Sequence, residues 1–128
     1  MEKAVGLWID HREAVVVTVS GKTDETKLIP SNVEKRVEYS GGAKEVIAED
    51  RLDRKYLDHL AKYYAGVIAS IKGAESILII GPGEAKREFA KQLQSEGLGK
   101  RIVGIETADR MTDRQIAAKV RQRFLEAS

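Results

Sequence analysis

The chain has 128 residues and a mass of 14.2 kDa, which suits one domain spanning 1–128; two halves would each be too small for a good core. It contains no cysteine, which excludes a disulfide framework, a thiolate nucleophile and Cys-ligated zinc or iron–sulfur centres. With 22 basic and 20 acidic residues the formal charge is +2, too small to imply nucleic-acid binding by itself.

Apolar residues make up 42% and charged residues 33%, the balance of a folded soluble domain rather than a disordered one. No apolar run approaches the ~20 residues of a membrane helix, and Met1-Glu2-Lys3 does not open a signal peptide. A cytoplasmic setting without a membrane partner is the expectation.

Ala4 to Ile9 (AVGLWI) is almost wholly apolar and reads as a strand covered on both faces. Asp10-His11-Arg12 breaks it, and the β-branched run Ala14 to Ser20 follows, so the pair reads as a hairpin. Thr23 to Pro30 (TDETKLIP) is a more polar third strand, as an edge strand often is. Residues 31–51 show no sustained period, contain Ser40-Gly41-Gly42, and read as a long mobile loop.

From Asp53 to Lys72, Tyr56, Leu60, Tyr63, Val67 and Ile71 recur at steps of three and four, which predicts a helix; Leu52 extends that spacing. Gly73 is its C-terminal cap candidate. Ser76 to Ile80 is an apolar strand running into Gly81-Pro82-Gly83. Glu84 to Ser95 is a helix with Ala85, Phe89, Ala90 and Leu93 on one face. Ile102 to Ile105 is the last strand, expected to be as buried as the fourth. Thr112 and Gln115 form a capping box for a last helix striped by Ile116, Val120 and Phe124.

The order is β-β-β-α-β-α-β-α. A meander feeding two right-handed βα units is a ribonuclease-H-like α/β arrangement, with a five-stranded mixed sheet ordered 3-2-1-4-5. Strands one, four and five then end on one edge, where open α/β sheets bind ligands. Asp10, His11 and Arg12 leave the first strand there; Gly81, Pro82 and Gly83 leave the fourth, with Lys86 close behind; Glu106, Thr107 and Asp109 leave the fifth.

Each of these has a plainer reading. The glycine turn with Lys86 and Arg87 suits an anion, yet it has neither GxGxxG nor P-loop spacing, and Glu84 opposes an anion. A tight turn and a solvated helix face explain it as well. Asp10, Glu106 and Asp109 are oxygen donors for a cation, but turn chemistry accounts for them. His11 and His59 each stand apart from any metal-ligand spacing. Trp8 reads as core, and Tyr56, Tyr63 and Tyr64 as packing residues with hydroxyls at the rim. Arg114, Lys119, Arg121 and Arg123 form either an RNA-facing stripe or a solvated side. The residues assign no catalytic group, metal or cofactor.

Three blocks carry a resemblance: Leu7 to Ala14 (LWIDHREA), Ile80 to Lys86 (IGPGEAK) and Val103 to Asp109 (VGIETAD). With their spacing they span essentially the whole chain. They resemble a bacterial family of small translational machinery proteins, and more remotely the middle domain of archaeal and eukaryotic class I peptide-release factors and of Pelota. The release-factor resemblance places a Gly-Gly-Gln motif in the loop before the long helix. Here Tyr39-Ser40-Gly41-Gly42-Ala43-Lys44 occupies that stretch, and Ala43 stands where glutamine would be. Peptidyl-tRNA hydrolysis is therefore not implied, while a non-catalytic role on the ribosome or tRNA, in rescue or stress, is. Tyr39, Gly41, Gly42 and Lys44 are the loop contacts that the resemblance suggests. Two other functions stay open. One is an anion- or nucleotide-binding module at the strand edge. The other is a metal-dependent nuclease, which needs grouped carboxylates although the fourth strand ends without one.

Overall fold

The computed structural model describes residues 3–20, 23–31 and 49–126. Strands β1 (Lys3–Ile9), β2 (Glu13–Ser20) and β3 (Thr23–Pro30) form the meander. Helix α1 (Glu49–Ile71), strand β4 (Ser76–Gly81), helix α2 (Ala85–Ser95), a single 3-10 turn, strand β5 (Ile102–Thr107) and helix α3 (Asp113–Glu126) complete the chain. The sheet order is β3-β2-β1-β4-β5, as the element order required.

β1 is the central strand. It pairs antiparallel with β2, Leu7 opposite Val16, and parallel with β4, Leu7 opposite Ile79. Period-two alternation sends Val5, Leu7 and Ile9 to one face and Trp8 to the other. β4 splits in the same way, Ile77 and Ile79 against Leu78 and Ile80. Both faces are therefore apolar and both are covered, giving three layers.

The first face packs under α1, through Leu60, Tyr63, Tyr64, Val67, Ile68 and Ile71, and under α2, through Phe89, Ala90 and Leu93. The second face packs under α3, through Ile116 and Val120. Each fully buried Leu, Ile or Val contributes about 1.5–3 kcal/mol. The α1 stripe is wider than its three-and-four spacing suggested, because Tyr64 and Ile68 also turn inward.

Gly6 lies under α3, where a Cβ would run into the Val120 side chain. Its bare backbone lets the helix approach the sheet. At the start of α3 the capping box is formed: Gln115 N–H donates to Thr112 Oγ1 at 3.1 Å, and Thr112 N–H donates to Gln115 Oε1 at 2.9 Å.

Two expectations need correction. α1 begins at Glu49, four residues before Asp53: Glu49, Asp50 and Arg51 precede Leu52, the first residue of the apolar spacing, and so carry no periodic signal. β5 is not buried like β4: Val103 and Ile105 are 43% and 39% exposed, because β5 is the outermost strand of the sheet among the described residues.

Gly6→Ala is expected to cost about 1–3 kcal/mol by overpacking. Val120→Ala in the same chain should recover part of that loss, making the pair non-additive. Denaturant unfolding of both single variants and the double variant checks this; additive losses would contradict the close approach.

Candidate functional site

The parallel pairing of β1 and β4 brings the Asp10–Arg12 turn beside the Gly81–Gly83 turn. A cleft of about 330 Å³ opens between them, lined by Asp10, His11, Arg12, Pro82 and Gly83, with Glu84 and Ala85 on one side and Tyr56 on another. The two backbones approach closely: a Cβ at Gly81 would run into the Ile9 carbonyl oxygen. Gly83 has φ 61°, the left-handed conformation that glycine adopts without strain.

Asp10 builds the turn. Its Oδ1 accepts from Arg12 N–H at 2.8 Å and Glu13 N–H at 2.9 Å. Asp10 N–H donates to Glu13 O at 3.1 Å, closing the hairpin. Tyr63 then reaches up from α1 and donates to Asp10 O at 3.0 Å.

His11 is tied to α2. Its Nε2 lies 3.0 Å from Glu88 Oε1, and Tyr64 donates to the same oxygen at 2.7 Å. The imidazole also meets the Tyr56 ring edge-on, at a centroid distance of 6.3 Å. One chain of contacts thus joins the β1–β2 turn, α1 and α2. Burial first, then the bond to Glu88, pushes the Tyr64 hydroxyl well above its usual range. Burial first, then the Asp10 and Glu13 charges, does the same for Tyr63. Both hydroxyls stay protonated and act as donors.

Other expected site residues lie elsewhere. Lys86 is buried, and its ammonium donates back to Gly83 O, bracing the turn instead of presenting charge. Glu106 points to the α3 face, 3.2 Å from Lys119 and 3.7 Å from Arg123. Thr107 is exposed, in register with Gly81. Asp109 contributes its carbonyl oxygen, which accepts from Trp8 Nε1 at 3.2 Å. Arg110 stacks over the buried Trp8 ring at 5.0 Å and pairs with Glu13 at 2.5 Å. The third group expected at the strand edge therefore does not join the cleft. Among the described residues, no three His, Asp or Glu side chains group to hold a metal ion.

Of the basic residues on α3, Lys119, Arg121 and Arg123 are paired, Arg121 with Asp24 at 3.2 Å. Tyr39, Gly41, Gly42 and Lys44, with the rest of 32–48, lie outside the described residues. Sequence reasoning missed Glu88 as the partner of His11. The available signal was its place one helical turn after Glu84, on the helix that begins at the same sheet edge.

No family model and no curated protein matches the chain in sequence. Solved structures match it in fold. Pelota from Thermoplasma acidophilum superposes with a TM-score of 0.59 at 17% identity, covering 98% of this chain and 32% of that one. Pelota from Archaeoglobus fulgidus gives 0.60 at 15% identity, with the same coverage of 98% and 32%. The archaeal translation termination factor aRF1 gives 0.54 at 13% identity, covering 98% and 39%. The chain thus spans about a third of the length of these proteins, and the likeness at such identities is one of fold.

The tyrosines predict an alkaline response. A tyrosine in an unfolded chain loses its proton near pH 10. Tyr63 and Tyr64 keep theirs to higher pH when folded, so above about pH 10 the folded state binds more protons and stability falls as pH rises. Tyr64→Phe should flatten that fall. Denaturant midpoints measured from about pH 8 to pH 11 check this; an unchanged slope in the variant would contradict it.

Proposed function

We propose that this chain is a non-catalytic, ribosome- or tRNA-associated protein of the release-factor and Pelota fold, acting in rescue or stress. The observation that carries the reading is the match of 98% of the chain to a domain-sized part of Pelota and of aRF1. The three sequence blocks that resemble bacterial translational machinery proteins support it. So does Ala43, which removes the glutamine needed for release-type hydrolysis. The contacts in this reading are the turn residues Asp10 to Arg12 and Gly81 to Gly83, with the Tyr39–Lys44 stretch. The nuclease reading has less support, because Asp10 lies in the cleft with α1 and α2 while Glu106 faces α3.

The strand-edge cleft itself favours a second reading as a small polar-ligand site, since His11, Arg12 and the Gly83 turn line one concavity. Glu84 in its lining and Glu88, bonded to His11, weigh against a highly charged anion. A thermal-shift panel of nucleotides and phosphate metabolites tests it; a ligand at a hundred times its Kd adds about 2.7 kcal/mol.

Sedimentation of tagged protein in a cell lysate through sucrose gradients tests the main reading. Salt-sensitive co-migration with ribosomal particles is expected. Arg12→Ala with Lys44→Ala should weaken it and lower the salt slope by about one for each phosphate no longer neutralised. Protein confined to the top of the gradient at both low and high salt would overturn the reading.

A further inference from the structure

The two edges of the sheet are built differently. β3 is exposed along its length and, although its Leu28 is 52% exposed, it carries the charges of Asp24, Glu25 and Lys27 and ends in Pro30. Those are features that discourage pairing with another chain. β5 has none of them before Glu106. It exposes Val103 and Ile105, and Ile105 lines a groove of about 390 Å³ along α2.

The α2 side of that groove carries Glu84, Arg87, Glu88 and Lys91. Read backwards, the order is Lys, Glu, Arg, Glu. A second α2 laid antiparallel therefore sets Glu84 against Lys91 and Arg87 against Glu88, at both ends of a two-fold axis. This charge pattern is its own complement, as an isologous interface requires. Glu84, Arg87 and Lys91 have no ion pair among the described residues, and Glu88 is engaged through one oxygen, Oε1.

We propose that β5 pairs antiparallel with β5 of a second copy of this chain, burying Val103 and Ile105 between two antiparallel α2 helices in a continuous ten-stranded sheet. A heterologous partner has no reason to meet a self-complementary pattern, so the second copy is the occupant that the charges select. The Arg123 guanidinium donates to Val103 O at 3.0 Å and holds that edge carbonyl until a partner strand replaces it. The β3 edges, with their charges and Pro30, then face outward, so the assembly stops at two chains.

Sedimentation velocity over a dilution series tests the proposal. The full chain should sediment at twice its 14.2 kDa at high micromolar concentration. Ile105→Lys should raise the dissociation constant at least about tenfold. Glu84→Lys should weaken the dimer, and Glu84→Lys with Lys91→Glu, which inverts the pattern, should restore it. Circular dichroism confirms folding of each variant. Should Ile105→Lys fail to fold, the exposed charge variants carry the test alone. A chain that stays monomeric throughout would overturn the proposal. So would a dimer indifferent to Glu84→Lys, or one that the double variant fails to restore.

Discussion

The parallel pairing of β1 with β4 is the constraint on which the rest of this structure depends. The two strands are about seventy residues apart in sequence, and Ala4 to Trp8 lie against Ser76 to Ile80 in unbroken register. Because they run the same way, their C-terminal turns emerge side by side. Gly81 makes that neighbourhood tight, since any Cβ there would meet the Ile9 carbonyl. The cleft, its histidine and its glycine turn are consequences of this one pairing. Were β4 antiparallel to β1, Gly83 and His11 would sit at opposite ends of the sheet.

The two faces of the sheet then serve different ends. On the α1 and α2 face, polar contacts converge on the cleft: Tyr63 on the Asp10 carbonyl, Tyr64 and His11 on Glu88. These tie three elements to one turn and keep it in one geometry. On the α3 face the polar contacts neutralise charge. Glu106, Asp24 and Glu13 each take a basic partner from α3 or the segment before it. Exposed pairs of this kind contribute only about 0–1 kcal/mol each to stability. Their larger effect is on the field, because an α3 stripe balanced by acids no longer resembles a phosphate-tracking surface.

Strand order was legible because periodicity identified each element and the βα alternation forced parallel pairing with right-handed crossovers. The Asp10 turn and the Thr112 box were legible because their hydrogen bonds join residues two or three apart. What escaped depends on neighbours distant in sequence. The apolar run of β5 looks like that of β4, yet only position in the sheet decides which is covered. Lys86 and Glu106 were placed at the edge by chain position. Long side chains swing, and one folds back on Gly83 while the other crosses to α3. Glu88 could not be paired with His11 until α2 was laid against the first turn.

Native-state hydrogen exchange tests the central role of the β1–β4 pairing most directly. Amides of Val5 to Trp8 and of Ile77 to Ile80 should be the slowest in the chain, exchanging together and only through global unfolding. If β4 and β5 lose protection at a lower free energy while the β1–β2–β3 meander stays protected, the meander folds as its own unit and β1–β4 is not the central contact.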